Sequence, residues 1–537
     1  MQKLSCLVAL CLLCPAAWPQ SDRCASLAKL DLSHSAITLA QIVPAGAFHL
    51  PQGADPRFRE DALFAHLGAF CRVTMKLTPS PDSDIAVEVW LPEQDWNHKF
   101  LGVGNGGFAG EIDYDSLATG IDEGYAAAAT NTGHSGSGID AQWALHHPEK
   151  VIDFGYRGIH DMTVAAKSVL HAYYATAAPE SYFESCSDGG REALMEAQRF
   201  PTDYNGILAG APANNWTSLL TNAVRLSQAL MLHPSSYISS AKLPAIQSAV
   251  VAACGAESGV QDDFVDNPPQ CHFNPSVLLC KGTETNQCLT EPQIDALRAV
   301  YSPMRSATGA QPFPGYSPGG EVGDNGWGTW IVGPAPRQSL MYLFGTRYFT
   351  DMVYNNPQWN YANFKLGPGL ADAVRVTGKA LDANDPNLQP FERHGGKLIL
   401  YHGWSDAAIP PTSTIDYYEA VRSMIGAPAE DSFVRLFMVP GMQHCGEGPG
   451  PNSFGQNGPD SVSGPDDPQH DIRLALQAWV EKGVAPTTVV AAKFQGEGSS
   501  RKVVMTRPLC AWPLMAHYRG VGNPDAAASF DCVRPTP

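Results

Sequence analysis

The most constraining feature of this chain is an alternation of buried-strand and helix patterns that stops and later resumes. Short apolar runs bounded by turn residues predict strands, and apolar residues at helical spacing predict helices. Strands are predicted at 84–91, 98–104, 124–131, 179–186, 396–403 and 433–440, and helices at 157–174 and 191–200. Such alternation is typical of an α/β protein whose mostly parallel sheet is covered on both faces. Only 84–91 alternates apolar and polar residues, which predicts a half-buried strand.

The alternation is interrupted in the middle of the chain. From about residue 215 to 385 the sequence is rich in Asn, Pro, Gly and Trp, and four cysteines fall between 254 and 288. The economical interpretation is one α/β domain, residues 19–215 and 386–537, with a disulfide-rich lid domain, residues 216–385, inserted into it.

The chain begins with an export signal. A lysine, a short apolar run over 4–13 and small residues at 16 and 17 predict a signal peptide at 1–18, and hence a secreted protein, either extracellular or periplasmic. Its removal leaves an even number of cysteines, which predicts a disulfide framework. No two of them have C-x-x-C spacing, so disulfides are favoured over zinc. The ten are Cys24, Cys71, Cys186, Cys254, Cys271, Cys280, Cys288, Cys445, Cys510 and Cys532.

The charge balance excludes some classes of partner. Thirty-five Lys and Arg against 53 Asp and Glu give a formal net charge of −18, which disfavours binding to nucleic acid and to anionic membranes. No apolar segment approaches the roughly 20 residues that span a bilayer.

A candidate nucleophile lies where the strand at 179–186 meets the next helix. In Ser185-Cys186-Ser187-Asp188-Gly189, small residues around Ser187 permit a tight turn that exposes its hydroxyl above the sheet. The general pattern is G-x-S-x-G; Ser185 stands in place of the first glycine, while Gly189 keeps the second. The alternative interpretation is an ordinary polar turn.

Two later residues complete a possible catalytic triad. A serine hydroxyl needs an imidazole to accept its proton and a carboxylate to orient that imidazole. Asp406 and His444 each follow a predicted strand, in the order Ser, Asp, His that α/β-hydrolases use. Cys186 precedes the candidate nucleophile and Cys445 follows the candidate base. A disulfide between them would hold their Cα atoms about 5.5–6 Å apart; alternatively, each cysteine pairs elsewhere.

These motifs resemble the tannase and feruloyl esterase family of α/β-hydrolases, which also contains the enzyme that hydrolyses mono(2-hydroxyethyl) terephthalate. The family joins a Cys-Ser and a His-Cys by a disulfide beside the triad, as Cys186-Ser187 and His444-Cys445 stand here. The stretches at 403–411 and 104–110 are also similar to family motifs, and the resemblance covers nearly the whole mature chain. It implies an α/β-hydrolase fold and a serine esterase that needs no cofactor for catalysis.

The glycine-rich stretch at 104–110 has a use in such chemistry. Ester hydrolysis builds negative charge on the carbonyl oxygen, and backbone N–H groups aimed at that oxygen stabilise it. Asp188, directly after the nucleophile, offers one N–H, and the resemblance implies Gly107 as the second. The other interpretation is a glycine-rich turn with no binding role.

The resemblance also implies a candidate site for a structural calcium ion in the lid. In the family pattern acids fall at positions 255, 258 and 262, with main-chain carbonyls at 260 and 264. Here only Asp262 is acidic, beside Val260 and Phe264, because Gly and Ser occupy 255 and 258. Calcium requires six to eight oxygens, so either nearby acids (Glu257, Asp263, Asp266) compensate or the loop is an acidic one closed by Cys254 and Cys271.

The substrate expected from the resemblance is an aromatic-acid ester, foremost a feruloyl ester of plant cell-wall polysaccharide. Galloyl esters and terephthalate monoesters are the alternatives within this chemistry; a peptidase and a non-catalytic binding protein are the alternatives outside it. Aromatic residues of the lid could form a flat wall for a planar acyl group, although aromatics mostly fill cores. They are Trp327, Trp330, Tyr342, Phe344, Tyr348, Phe349, Tyr354 and Trp359.

Overall fold

A computed structural model of the protein describes residues 20–52, 63–176, 180–306, 309–456, 465–496 and 500–535. The signal peptide predicted at 1–18 lies outside the described residues.

Nine strands form one central sheet, and four more form two short antiparallel pairs. The strands are β1 (Ser35–Val43), β2 (Phe70–Leu77), β3 (Ile85–Pro92), β4 (Lys99–Val103), β5 (Ala126–Thr130), β6 (Glu180–Cys186), β7 (Gly206–Gly210), β8 (Lys397–Gly403), β9 (Val434–Val439), β10 (Thr488–Gln495), β11 (Lys502–Cys510), β12 (Met515–Tyr518) and β13 (Phe530–Val533). The order in the central sheet is β1-β2-β3-β5-β4-β6-β7-β8-β9. Pairs from β1 to β5 are antiparallel and pairs from β5 to β9 are parallel.

Of the α-helices in the described residues, seven lie within the lid and the others lie before, between or after the strands of the sheet. They are α1 (Gln20–Ser26), α2 (Tyr114–Asp122), α3 (Pro148–Ile152), α4 (Gly158–Tyr174), α5 (Asp188–Arg199), α6 (Trp216–Met231), α7 (Leu243–Cys254), α8 (Glu291–Tyr301), α9 (Trp327–Trp330), α10 (Leu340–Arg347), α11 (Leu366–Ala373), α12 (Lys379–Leu381), α13 (Gln389–Arg393), α14 (Thr412–Ile425), α15 (Ala427–Glu430) and α16 (Ile472–Lys482). No described helix combines the length and apolar character needed to cross a bilayer.

The predicted mostly parallel sheet is confirmed, and its central strands show why their sequences are continuously apolar. In β8, Leu398 and Leu400 pack into the core layer on one face, whereas Ile399 and Tyr401 pack into the layer on the other. All four side chains are fully buried. A strand covered on both faces has no side exposed to solvent, so its sequence does not alternate with polar residues.

The prediction that 84–91 is half-buried is wrong. In β3, Val87 and Val89 face one core layer, and Trp90 is fully buried in the other. The polar residue that suggested an exposed face, Glu88, is itself buried, and its carboxylate accepts hydrogen bonds from Arg72 and the Trp90 indole. Pairing with a guanidinium lets a carboxylate lie where the sequence pattern suggested solvent.

The lid residues 216–385 add no strand to the central sheet among those that the structure describes. Their helices pack into two apolar clusters separate from the layers that cover the sheet. Cys254–Cys271 and Cys280–Cys288 close short loops within the lid. Since β7 ends before the lid and β8 follows it, the lid emerges between two neighbouring strands of the sheet, beside the end of β6.

Candidate active site

Ser187 lies on a strained turn at the carboxyl end of β6. Its φ of 68° and ψ of −122° are rare for a residue with a side chain, and strain of this kind is concentrated at functional sites. The turn is held by hydrogen bonds from the Ser187 N–H to the Gly210 carbonyl and from the Ala213 N–H to the Ser187 carbonyl. The half-buried Ser187 hydroxyl therefore projects above the sheet at the start of α5.

Gly189 is required by the close packing of this turn. A Cβ on Gly189 would lie 1.9 Å from the Ser185 hydroxyl and 2.7 Å from the Asn105 carbonyl oxygen. Real Cβ atoms do not approach other atoms so closely, so the sequence keeps glycine at this position.

The hydroxyl, an imidazole and a carboxylate form one hydrogen-bonded chain. His444 Nε2 is 2.8 Å from Ser187 Oγ, and His444 Nδ1 is 2.7 Å from Asp406 Oδ2. An ionised carboxylate only accepts, so Nδ1 carries the hydrogen and Nε2 is left to accept from the Ser187 hydroxyl. The structure thus brings the three predicted residues into the geometry required of a nucleophile, a base and its orienting group.

Asp406 is buried yet held in its ionised form. The N–H groups of Ala408 and Ile409 donate to its Oδ1, and His402 Nε2 lies 3.1 Å from its Oδ2. Burial alone would raise the pKa of this carboxyl, but His444 and His402 hold that pKa well below its ordinary value. The carboxylate therefore stays negative and can stabilise an imidazolium on His444.

The disulfide between Cys186 and Cys445 lies directly beside the triad. The two Cα atoms are 5.9 Å apart, and the bond joins the residue before Ser187 to the residue after His444. The same framework contains Cys24–Cys71 and Cys510–Cys532 outside the lid. All ten cysteines of the predicted mature chain are paired.

Two backbone N–H groups, those of Asp188 and Gly107, have the role of oxyanion donors only as a prediction, and among the described residues neither has a hydrogen-bond acceptor. Asp188 is the first residue of α5, so its N–H has no acceptor within the helix. Gly107 lies in the glycine-rich loop with φ of +62°, and its N–H has no hydrogen-bond acceptor among the described residues. Asn105 fixes this loop to α5, because its N–H donates to Glu192 and its carbonyl accepts from the Gly189 N–H.

Asp188 and Arg191 anchor the start of α5 from below. Arg191 is fully buried; it donates to the Asp188 carboxylate at 2.6 Å and to the carbonyls of Phe154 and Gly155. Burial raises the pKa of Asp188 although Arg191 opposes that shift. Sequence reasoning missed Arg191, which was read only as the start of a helix.

The lid reaches the triad through Trp330. The Trp330 ring lies edge-on to the His444 ring, 5.0 Å between centroids, and stacks on Phe344 at 6.1 Å. Phe344 in turn contacts Phe108 of the glycine-rich loop at 5.0 Å. Asn325 connects the same wall to the base, since its Nδ2 donates to the His444 carbonyl and its Oδ1 accepts from the Trp330 indole.

The other predicted wall residues divide between the lid core and its margins. Four are half-buried beside the lid clusters: Tyr342, Phe344, Tyr354 and Trp359. Three are fully buried in the lid core: Trp327, Tyr348 and Phe349. Of the eight, Trp330 alone has a described ring contact with His444.

The acidic loop after α7 packs against the guanidinium of Arg507, which lies on β11. Both carboxylate oxygens of Asp262 accept from Arg507 Nη2, at 3.0 and 3.1 Å. Glu257 accepts from the Asn267 N–H, and burial raises the pKa of Asp266. Among the described residues, no set of three ligand groups close enough to share an ion includes Asp262. With two of three expected carboxylates absent and the third paired to a cation, these residues do not fit calcium.

A serine, a carboxylate and an imidazole follow the carboxyl ends of β6, β8 and β9, in that order. Together with backbone N–H groups that have no acceptor among the described residues, they define a serine hydrolase of the α/β-hydrolase type. Comparison with known proteins makes this class more specific. The family model for tannase and feruloyl esterase matches residues 71–533.

Individual relatives match over nearly the whole chain. An uncharacterized esterase of Xanthomonas campestris pv. campestris is 39% identical over 536 residues, covering 96% of this chain and 91% of the relative. A probable feruloyl esterase B-2 of Aspergillus terreus is 32% identical, with 95% of each chain covered. The crystal structure of feruloyl esterase B from Aspergillus oryzae superposes with a TM-score of 0.88 at 29% identity, covering 96% of this chain and 100% of that one. The chain belongs to the tannase and feruloyl esterase family, which confirms the predicted fold and the predicted class of carboxylic ester hydrolase.

The first prediction concerns the disulfide beside the triad. We expect Cys186→Ala with Cys445→Ala to lower kcat/KM about 100-fold, because the base is then free to move by an ångström or more relative to the hydroxyl. Chain-entropy arguments also assign this bond, which closes 259 positions, about 5 kcal/mol of stability, against about 2.5 kcal/mol for the bond closing 8. Steady-state kinetics and thermal unfolding measure the two effects.

The matched control is Cys280→Ala with Cys288→Ala, which opens the short lid loop far along the chain from the triad. It should retain kcat/KM and lose less stability. Full activity in the first double variant would show that the sheet alone positions the base.

The second prediction concerns the turn at Gly189. Gly189→Ala should reduce kcat about 100-fold or more, since relieving the clash displaces the Ser187 turn or the Asn105 loop. Gly68→Ala is the control, because a Cβ there meets nothing within 4 Å. Equal activity of the two variants in an ester-hydrolysis assay would contradict the packing argument.

Proposed function

We propose that this protein is a secreted serine carboxylesterase that hydrolyses esters of aromatic acids, in particular feruloyl esters of plant cell-wall polysaccharide. The observation that carries the proposal is the position of His444, 2.8 Å from the Ser187 hydroxyl and 2.7 Å from the Asp406 carboxylate.

In the first half of the reaction, Ser187 Oγ attacks the ester carbonyl carbon while His444 Nε2 takes the hydroxyl proton. Asp406 stabilises the imidazolium that forms. The carbonyl oxygen becomes negative and accepts hydrogen bonds from the N–H groups of Asp188 and Gly107, each worth about 2.7–4 kcal/mol in such sites. When the tetrahedral intermediate collapses, His444 returns the proton to the departing alcohol.

In the second half, His444 removes a proton from water, and the resulting nucleophile attacks the acyl-Ser187 carbonyl. Collapse of this second intermediate releases the free acid, and the serine oxygen regains its proton from His444. Each proton transfer is assigned to a side chain of this protein, so we propose that catalysis uses no cofactor.

The preference for an aromatic acyl group is supported by two observations. Trp330 and Phe344, both half-buried and stacked on each other, form an aromatic wall that begins at the His444 ring and is backed by the buried Phe108. A planar acyl group held at Ser187 would lie near this wall. Relatives at 32% identity over nearly the full length are named probable feruloyl esterases.

Secretion is supported by the cysteine chemistry. Five disulfides persist only in an oxidising compartment, and the signal predicted at 1–18 supplies the route to it. We propose that the partner is a small aromatic ester or a feruloylated polysaccharide and not nucleic acid or an anionic membrane, for which the acidic chain is unsuited.

The third prediction tests the proposed activity. The wild type should hydrolyse methyl ferulate with a higher kcat/KM than methyl gallate or a terephthalate monoester, and a fluorophosphonate probe should label Ser187. Ser187→Ala should abolish both labelling and turnover, because Ser187 carries the hydroxyl that is hydrogen-bonded to His444, and no other described hydroxyl is. Ser185→Ala is the control, since it changes a neighbouring serine that makes no contact with the base.

A preference for gallate or terephthalate would replace the feruloyl assignment by that substrate. An unlabelled wild type that turns over no ester would indicate a binding protein on a hydrolase fold.

A further inference from the structure

A second imidazole contacts the carboxylate of the triad. His402, near the end of β8, is fully buried, and its Nε2 is 3.1 Å from Asp406 Oδ2, the oxygen that also accepts from His444. The sequence had shown His402 only as part of a strand.

The surroundings of His402 fix which ring nitrogen carries hydrogen. Nε2 faces two acceptors, Asp406 Oδ2 and the Ile409 carbonyl at 3.2 Å, so Nε2 is protonated. Nδ1 is 2.7 Å from the hydroxyl of Thr414, a buried residue whose O–H can donate to it. Thr414 thereby selects the tautomer in which His402 donates to Asp406.

We propose that His402 is a positioning residue that sets the orientation of the Asp406 carboxylate. The Ala408 and Ile409 N–H groups hold Oδ1, so His402 supplies the hydrogen bond that fixes Oδ2 toward His444. Without it, Oδ2 keeps only His444 as donor and the carboxylate can tilt away from the base. This inference rests on the proposed serine-esterase function, because it assigns a role in that same site.

The test compares His402→Phe with His402→Gln. Gln places an N–H donor near the position of the imidazole Nε2, whereas Phe fills the space without donating. Loss of a hydrogen bond to a charged group should lower kcat of His402→Phe about ten- to a hundredfold, with KM unchanged since His402 does not reach the substrate. His402→Gln should recover most of the lost kcat, and Thr414→Val should fall between the two.

Thermal unfolding of each variant separates misfolding from mispositioning. Wild-type kcat in a folded His402→Phe, or a loss that His402→Gln does not recover, would overturn the role of His402. Failure of the proposed function looks different, because then the wild type itself hydrolyses no aromatic ester and is not labelled by the fluorophosphonate probe.

A separate observation concerns the acidic lid loop after α7. Arg507 on β11 is fully buried; its Nη2 donates to both oxygens of Asp262, and its Nη1 donates to the carbonyls of Thr506 and Pro524. Its guanidinium also lies 4.2 Å from the centre of the Phe530 ring. Both terminal nitrogens of this buried guanidinium are thus hydrogen-bonded, which makes Arg507 a permanent part of the fold.

We infer that Arg507 is the cation that neutralises Asp262 in this loop, so that the lid folds without a divalent metal ion. Arg507, on β11, supplies the positive charge that an ion would bring, and its contact with Asp262 links residues 245 positions apart. Positions 255 and 258 hold Gly and Ser, so two of the three carboxylates that the family pattern would offer an ion are absent, and the third, Asp262, is already paired with Arg507.

The test begins with the unmodified protein. After EDTA treatment and desalting, addition of calcium chloride should change Tm by less than about 1 °C, and elemental analysis should find no stoichiometric calcium. Arg507→Met should lower Tm by about 3–8 °C, because it leaves Asp262 buried and unpaired, whereas Arg507→Met with Asp262→Leu should recover most of that loss. A saturable, stoichiometric calcium-dependent rise in wild-type Tm, or an unchanged Tm in Arg507→Met, would overturn the inference.

Discussion

The structure depends on one covalent constraint, the bond between Cys186 and Cys445. Parallel strands deliver Ser187 and His444 to the same edge of the sheet from distant parts of the chain, but strand ends are continued by loops with freedom of their own. The sulfur bridge removes that freedom at the residues flanking the nucleophile and the base. A 2.8 Å hydrogen bond between groups on two loops is then maintained by chain connectivity as well as by packing.

The rest of the site stabilises one buried negative charge, that of the Asp406 carboxylate. Asp406 accepts two backbone N–H groups on one oxygen and two imidazoles on the other, so the low-dielectric interior does not force it to take up a proton. The oxyanion side follows the opposite rule, since the N–H groups of Asp188 and Gly107 have no acceptor within the part of the chain that the structure describes. The negative charge of Asp406 is thus compensated by its hydrogen-bond donors, whereas the oxyanion site is built for a negative charge that forms only during the reaction.

Much of the fold and the candidate site could be predicted because both lie on local patterns. The strands β4, β5, β8 and β9 are mainly apolar runs, and Asp406 and His444 lie in the loops that follow β8 and β9. The strand β6 was found together with the turn at Ser187, whereas β7, only five residues long, was not predicted. The predictions that failed are those in which a side chain is paired with a residue elsewhere in the chain. Glu88 suggested an exposed face because the local pattern does not show its pairing with Arg72. Arg507 was overlooked for the same reason, since its partner Asp262 is 245 positions away. His402 lies only four positions from Asp406, but a histidine inside a strand shows no role until the fold brings the two side chains together.

The place of the lid has a consequence for how the polypeptide matures. β7 and β8 are adjacent in the sheet, with Gly210 opposite Tyr401, yet the entire lid is synthesised between them. While the lid emerges, the seven strands already made end at β7 with an unpaired edge, the kind of surface that invites wrong pairing. Closing so long a connection is also entropically slow. Assembly of the protein therefore depends on keeping that edge covered until the last third of the chain arrives.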